Sequence, residues 1–232
     1  TRTGDHRTLQ ALVGVDTDLD EPQGDGATAL HWAAHRNDLR AAGLLIEGGA
    51  AVNVANNLGA TPLWLAASTG SDEMVARLLE AGAEPDAALA MGETPLMAAA
   101  RSGDVATVDA LLRAGADPNA AELERGQTAL MWAAAQRHAV VVTRLAEAGA
   151  DVHTRSTVWH QLENTAGNTN PSGNFEMAHG GSTALLFVAR NGDIETARAL
   201  IEAGADVDDT AAAGTSALVI AAHSGHGPLG IF

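Results

Sequence analysis

Two kinds of apolar block alternate along the chain. The first is short and contains a pair of adjacent alanines, as in ATPLWLAA (60–67). The second, as in DEMVARLLEAG (72–82), places Val75, Leu78 and Leu79 at the i, i+3, i+4 spacing that is typical of one face of an amphipathic helix. The pattern therefore predicts pairs of short helices, and the alanine pairs allow neighbouring helices to approach closely.

Residues at the ends of these blocks favour helix starts and stops. Thr or Ser stands two residues after a Gly at the start of the first block, where it is a good N-cap. Pro62 and Pro95 follow such a Thr directly, at the first helical position, where a missing N–H costs nothing. The second block ends at a Gly that suits the helix C-terminus. These glycines are Gly82, Gly115, Gly149 and Gly204.

The paired blocks form a repeat. The first block begins at Gly26, Gly59, Gly92, Gly126, Gly181 and Gly214, so successive copies are 33, 33, 34, 55 and 33 residues apart. A second motif of the type LLEAGAEPD (78–86) follows at a constant distance in the complete copies. Each unit is therefore turn, helix, turn, helix and loop. No unit buries its apolar stripe alone, and stacking on its neighbours does so.

These motifs resemble the ankyrin repeat family, whose signature is G-x-T-P-L-H-x-A-A followed by L-L-x-x-G-A-D-x-N. The resemblance implies an all-α fold, an ankyrin-repeat solenoid of stacked helix-turn-helix units with β-turn tips. The His position is a departure, because only the first copy keeps it, as His31. A single array over 1–232 is expected, with a half unit at 4–23, units at 24–56, 57–89, 90–123, 124–178 and 179–211, and a truncated unit at 212–232.

Both ends of the array look incomplete. In the half unit, Gly4, Leu9, Leu12 and Val13 align with Gly70, Val75, Leu78 and Leu79 of a full unit. At the other end an apolar stretch with Leu229, Ile231 and Phe232 stands where a solenoid needs a polar cap. We therefore expect the sequence to be a piece of a longer array.

His31 and His35 are four residues apart, which is the spacing of paired metal ligands on a helix. The resemblance implies another role, because His31 falls at the family's structural His, which hydrogen-bonds to backbone in the turns. His35 falls just after the alanine pair, where side chains vary. No acidic residue lies between them as in H-E-x-x-H. The pair is therefore expected to hold no metal, and we expect no cofactor.

The composition argues against two classes of partner and predicts the source of the protein. The net charge is −16 and all 13 basic residues are arginines, so phosphates and anionic membranes would be repelled, and neither nucleic acid nor a membrane is expected as a partner. Cysteine is absent, which excludes disulfides and thiolate metal sites. The lack of Lys beside abundant Ala, Gly, Arg and Asp predicts a GC-rich, bacterial source. The bacterial cytoplasm fits, as does the periplasm if a signal preceded the chain.

No enzyme motif is present: the sequence contains no G-x-S-x-G, no Walker loop and no H-E-x-x-H. Asp117, Asp151 and Asp206 recur at one position of the unit, which indicates architecture because a catalytic group would not repeat. The sequence therefore predicts a protein without catalytic activity.

The resemblance implies protein binding through a concave groove of turn tips and first helices. A monomer is expected, because the acidic charge opposes the stacking of copies into filaments. These positions vary between units whereas Gly, Thr, Leu and Ala do not. The candidate tip residues are Asp25, Asn57, Leu58, Met91, Glu93, Glu124, Arg125, Gln127 and His179. The candidate first-helix residues are His35, Arg36, Ser68, Thr69, Arg101, Ser102, Gln136, Arg190 and Asn191.

Arg36, Arg101 and Arg190 occupy equivalent or adjacent positions of their units. One interpretation is a row of arginines that receives an acidic stretch of the partner, since Arg is enriched at interface hot spots. The other is internal pairing with Glu93 or Asp38. The two interpretations stand side by side at this point.

The 55-residue spacing contains an insertion of about twenty residues at about 156–178, between the fourth and fifth units. Its middle, NTAGNTNPSGN (164–174), predicts turns or disorder, and its flanks carry Trp159 and Phe175. Either these aromatics hold the loop against the solenoid, or the loop protrudes as a recognition element, as long loops in regular arrays often do.

Two functions of different class follow. The first is a protein-interaction module that uses the groove and the loop, and it predicts a chemically diverse groove. The second is an inert spacer, or a regulatory arm of a larger protein, with a uniformly acidic or Ala-like surface. Met91, Leu58 and the arginines favour the first.

Overall fold

The computed structural model describes residues 6–13, 18–164, 174–226 and 229. Gly4, Ile231, Phe232 and most of the turn-rich middle of the insertion lie outside these residues. The chain divides into two compact units, Thr1–Ala120 and Ala121–Phe232, which are described one at a time. The single array expected over 1–232 stays a prediction.

The first unit contains α-helices that alternate between first and second members of a pair. α2 packs on α4 and α4 on α6, and the second helices α3, α5 and α7 form a parallel layer. α1 packs on α3, as expected for a half unit. The helices are α1 (His6–Val13), α2 (Ala29–His35), α3 (Leu39–Glu47), α4 (Pro62–Ser68), α5 (Asp72–Glu80), α6 (Pro95–Ser102) and α7 (Val105–Arg113).

The second unit repeats the helix pairs and adds two strands. α8 packs on α10 and α10 on α12, with α9 against α11. β1 and β2 form a two-stranded antiparallel sheet in which Trp159 pairs with His179 and Gln161 with Met177. The elements are α8 (Ala129–Ala135), α9 (Ala139–Glu147), β1 (Val158–Asn164), β2 (Asn174–Gly180), α10 (Ala184–Asn191), α11 (Ile194–Glu202) and α12 (Ala217–His223).

The predicted helix ends are confirmed. Thr61 and Thr94 are N-caps whose hydroxyl oxygens accept hydrogen bonds from Trp64 N and Met97 N, both at 3.2 Å, and a proline follows each at the first helical position. The C-cap residue of α5, α7, α9 and α11 is an Ala, and the next residue is a Gly with positive φ. At Gly82 that φ is +90°, a left-handed conformation that glycine adopts without strain.

Small and medium side chains form the core of each unit. The alanine pairs of α2, α4, α6 and α8 are buried, and so is one Leu near the start of each of these helices. Because alanine adds little volume beyond the backbone, successive first helices approach closely, and Leu78 and its equivalents fill the space between first and second helices. This layering leaves the turn tips and the ends of the first helices facing solvent.

No helix among the described residues is long and apolar enough to cross a membrane.

Candidate functional site

His31 links two successive repeats of the first unit. Its ring is buried, its Nδ1 accepts a hydrogen bond from Thr28 N at 3.0 Å, and its Nε2 donates to Ala60 O at 2.9 Å. Both ring nitrogens are therefore occupied, as the structural role predicts. Desolvation by burial lowers the pKa of His31 below its ordinary 6.5, against smaller opposing effects of the Ala60 hydrogen bond and the Asp25 charge. His35, on the next turn of the helix, is exposed.

Successive turn tips are joined by backbone hydrogen bonds. In the first unit, Asn57 N donates to Asp25 O at 3.0 Å and Ala90 N donates to Leu58 O at 3.3 Å. Leu58 is 72% exposed and Met91 is 55% exposed, so each of these two neighbouring tips carries an exposed apolar side chain. Apolar groups at such exposure are available for contact with a partner.

The insertion occupies one turn tip of the second unit. In a regular tip, Asn56 N donates to Ala60 O and Gly59 N donates to Asn56 O, both at 2.9 Å. In the second unit the same two bonds run from Ser156 N to Ser182 O and from Gly181 N to Ser156 O, at 3.0 and 3.1 Å. Ser156 and Ser182 therefore correspond to Asn56 and Ala60.

The bonds to neighbouring tips locate the insertion further. Thr157 N donates to Arg125 O, as Asn57 N does to Asp25 O, and Ala212 N donates to Gly180 O, as Ala90 N does to Leu58 O. The extra residues are thus 158–179, which are 22 residues, the excess of the 55-residue spacing over 33. The sequence predicted an insertion at about 156–178 with turns or disorder in its middle, 164–174, most of which lies outside the described residues. The described parts of the insertion are the two strands of a β-hairpin, which the sequence did not predict.

Side chains from the tip and the hairpin form one cluster. The Arg125 guanidinium lies 5.6 Å from the centroid of the Trp159 ring, which stacks on His179 at 5.7 Å with an interplanar angle of 20°. His179 Nε2 lies 3.0 Å from Glu163 Oε1. A guanidinium over an indole face is attractive by about 0.5–1 kcal/mol at exposed sites. The cluster holds Trp159 in place while leaving it 41% exposed.

Two protein-family models match the chain. The family model described as "Ankyrin repeats (3 copies)" matches residues 1–88 and 84–156, and the model described as "Ankyrin repeat" matches residues 180–212. The chain belongs to the ankyrin repeat family. Ankyrin repeats are generally protein–protein interaction modules, typically without catalytic activity.

A solved structure agrees with this assignment. The chain resembles the crystal structure of the human ASB11 ankyrin repeat domain with a TM-score of 0.74 and 26% sequence identity, over 95% of this chain and 88% of that one. No curated protein matches the chain. The ankyrin models match the chain up to residue 156 and again from residue 180. The inserted residues of the hairpin lie between the two matched segments.

The ankyrin tip and first-helix residues predicted from the sequence differ in their exposure. Glu93, Gln127, His179, Ser68 and Asn191 are partly buried. Phe175 pairs with Glu163 through its backbone. The exposed residues are Asp25, His35, Arg36, Asn57, Leu58, Thr69, Met91, Arg101, Ser102, Glu124, Arg125, Gln136, Trp159 and Arg190.

Several of these predicted residues also stabilise the ankyrin fold. The hydroxyls of Ser68, Thr69 and Ser102 donate to backbone carbonyls of their own helices. Asn191 Nδ2 donates to Ala134 O at 2.9 Å and to Ala135 O at 3.2 Å, and so ties the end of α10 to the end of α8. Their variation between units therefore reflects local packing as well as surface chemistry.

Arg36, Arg101 and Arg190, the possible row of arginines, have different environments. Arg101 Nη2 lies 3.2 Å from Glu93 Oε1, so the internal pairing considered for this residue is present. Asp38 pairs instead with His6, whose Nε2 lies 2.8 Å from its carboxylate. Arg36 lies over the Trp32 ring at 5.9 Å, and Arg190 lies over Phe187 at 5.8 Å.

Asp151 and Asp206 recur with the same local bond in the second unit. Each carboxylate accepts a hydrogen bond at 2.9 Å from the backbone N–H two residues later, and Asp117 of the first unit does so at 2.8 Å. The prediction that these aspartates are architectural is confirmed. Among the described residues, no group of three or more His, Asp or Glu side chains is placed to hold a metal ion.

Arg155 is a residue that sequence reasoning missed. Its Nη1 donates to Gly181 O at 2.9 Å and to Thr210 O at 2.6 Å, and its Nη2 contacts the Asp209 carboxylate. It therefore ties the base of the hairpin to the next ankyrin turn. The strands were missed as well, although Phe175, Met177 and His179 alternate with a period of two, which is typical of a strand.

We expect Arg155→Ala to loosen the base of the hairpin. Because the variant removes charge-assisted bonds from a half-exposed side chain, amide hydrogen exchange of β1 and β2 should speed up by about tenfold, which corresponds to about 1.4 kcal/mol. Hydrogen exchange followed by mass spectrometry measures this. Arg144→Ala is the control, because Arg144 pairs with Glu147 on the exposed face of α9. Equal exchange rates in the two variants would show that Arg155 does not hold the hairpin.

Proposed function

We propose that this protein is a non-enzymatic protein-binding module whose main recognition element is the β-hairpin of the second unit. The observation that carries the proposal is the position of the hairpin at a turn tip, the part of each repeat that faces solvent. The 22-residue extension adds exposed side chains there without changing the backbone bonds at its base.

The hairpin has the chemistry of a binding surface. Trp159, Val158 and Leu162 are all exposed, in a chain with only 3% aromatic residues. Large side chains held in one orientation lose little conformational entropy on binding, and Trp is enriched among interface hot spots. Stacking between Arg125 and His179 gives Trp159 that orientation.

The exposed side chains at the tips and first-helix ends of the two units are chemically diverse, which favours a binding role over an inert spacer. Leu58 and Met91 at the tips of the first unit and Leu162 in the hairpin are apolar, whereas Arg36 and Arg190 are cationic. A spacer would require none of these exposed groups. The partner we propose is another protein rather than a nucleic acid, since the net charge of −16 repels phosphates. The binding form we propose is a monomer.

A deletion tests the role of the hairpin. Joining Thr157 directly to Gly180 removes residues 158–179 and restores a tip of regular length. Tagged full-length chain and the deletion variant are used as baits in a lysate of the source organism, and proteins bound are quantified by mass spectrometry. We expect the partner to be depleted at least tenfold with the deletion variant.

The matched control changes the first unit instead. Leu58→Ser alters an exposed tip of the same type and leaves the hairpin intact. Circular dichroism should show the same helix content in all three baits. Equal recovery of every bound protein by the full chain and the deletion variant would overturn the proposal.

A further inference from the structure

The end of α10 contains an Asn-Gly pair. Asn191 is the last residue of the helix, and Gly192 is its C-cap, with a φ of +73°. Asn191 alone among the asparagines of the sequence is followed by Gly. In such a pair the glycine nitrogen can attack the side-chain amide carbon of the asparagine, because glycine has no side chain to obstruct the approach. Asn191 is therefore the asparagine of this chain best suited to spontaneous deamidation.

The side chain of Asn191 is held by three hydrogen bonds in the folded chain. It is partly buried, and its Nδ2 donates to Ala134 O at 2.9 Å and to Ala135 O at 3.2 Å. Its Oδ1 accepts a hydrogen bond at 3.1 Å from the backbone N–H of Asp193, which is the N-cap of α11. Asn191 therefore joins the end of α10 to the end of α8 and to the start of α11.

Both groups that take part in deamidation are occupied in the folded chain. The Gly192 N–H donates to Val188 O at 2.8 Å, and the Asn191 amide donates to the two carbonyls at the end of α8. Ring closure requires each group to leave its acceptor. The reaction then proceeds from molecules in which the end of α10 has opened, so its rate in the folded chain is the rate in the open chain multiplied by the open fraction.

The product of deamidation weakens the contact between α8 and α10. A carboxylate at residue 191 donates no hydrogen bond, so the bonds to Ala134 O and Ala135 O are lost and two carbonyl oxygens face a negative charge. The new charge also lies at the C-terminal ends of both helices, where the helix dipole disfavours an anion. Isoaspartate, the alternative product, lengthens the backbone by one methylene as well.

We propose that Asn191 is a deamidation site that the fold protects and that reacts when the contact between α8 and α10 opens. The Gly192 nitrogen bonds to Asn191 Cγ, and the amide nitrogen leaves as ammonia with the proton from Gly192 N. Water then opens the succinimide to aspartate or isoaspartate. Because the hairpin lies between α9 and α10 in the chain, the two repeats that carry it are the two that Asn191 joins. The inference does not depend on the proposed function.

Incubation of the full chain in mildly alkaline buffer tests the protection of Asn191. One sample is folded and a second is unfolded in guanidinium chloride, and peptide mapping by mass spectrometry quantifies aspartate and isoaspartate at residue 191. We expect deamidation in the unfolded sample and a rate at least about tenfold lower in the folded sample, since the open fraction alone reacts. Equal rates in the two samples, or no deamidation in the unfolded one, would overturn the proposal.

A pair of variants measures the effect of the product. Asn191→Asp introduces the aspartate product directly, and Gln136→Glu makes the same change from amide to carboxylate at the equivalent, exposed position of the preceding repeat. We expect hydrogen exchange of the amides at the ends of α8 and α10 to speed up at least about tenfold in Asn191→Asp and less than about twofold in Gln136→Glu. Equal exchange rates in the two variants would show that the bonds of Asn191 do not hold the helices together, and would overturn the proposal.

Discussion

Replacing His31 with alanine is expected to lower the free energy of unfolding by about 3 kcal/mol, since a buried N–H without an acceptor costs about 1–3 kcal/mol and the deleted ring leaves a cavity. Thr28 N loses its acceptor, and the bond from the His31 ring to Ala60 O, which joins two repeats, disappears. Urea denaturation followed by circular dichroism gives the value.

His35→Ala is the matched control for His31→Ala. It removes the same side chain from the same helix at an exposed position, and its expected effect is within about 0.5 kcal/mol. Equal destabilisation by the two variants would contradict the role assigned to His31.

The buried position of His31 also predicts that the free energy of unfolding depends on pH. Because burial lowers the pKa of His31 in the folded chain, the unfolded chain binds a proton first as the pH falls below 6.5. The contribution of neutral His31 is therefore complete above pH 6.5 and is lost progressively below it, down to the lowered pKa. In that window the wild type should lose stability more steeply than His31→Leu, by at most about 1.4 kcal/mol per pH unit.

The second large effect concerns Leu78, which is fully buried in α5. Leu78→Ala is expected to cost about 3 kcal/mol, because comparable buried Leu→Ala changes cost about 2.7–5.0 kcal/mol in transfer and cavity terms. The measurement is again the free energy of unfolding in urea, with the m-value checked for loss of cooperativity.

Leu12→Ala is a control from the same position of the repeat. Leu12 aligns with Leu78 but is 48% exposed in α1, which no helix precedes among the described residues. Its replacement is expected to cost less than about 1 kcal/mol. A cost for Leu12→Ala as large as that for Leu78→Ala would show that residue type, and not packing between repeat layers, determines the loss.

The sequence predicted the repeat architecture well, because that architecture depends on local and periodic features. Caps such as Thr61 and Thr94, the glycines after the second helices and the spacing of Val75 and Leu78 each act within a few residues. Because every copy carries the same pattern, each copy supports the same assignment of helices and turns. The role of His31 was likewise predictable from its place in that pattern.

The hairpin was not predicted, for a physical reason. Its strands are stabilised by contacts between residues far apart in sequence, such as Trp159 with His179 and Arg155 with Thr210. β1 lacks the alternation of apolar and polar residues that marks a half-buried strand, because Val158 and Trp159 are adjacent, and in β2 the alternation extends over a few residues only. The candidate site therefore emerged only in part: Arg125, Trp159 and His179 were selected singly, and the structure brings them together.

The place where the insertion enters has a consequence for how such a protein can change over generations. The two residues that flank it, Thr157 and Gly180, make the same backbone bonds as neighbours in an uninterrupted turn. A segment whose two ends meet in this way leaves the positions of the flanking helices unchanged. Lengthening the segment adds little to the entropic cost of closing the loop. Such a tip is a natural graft point, where a new specificity can be acquired, exchanged or engineered while the supporting helices stay as they are.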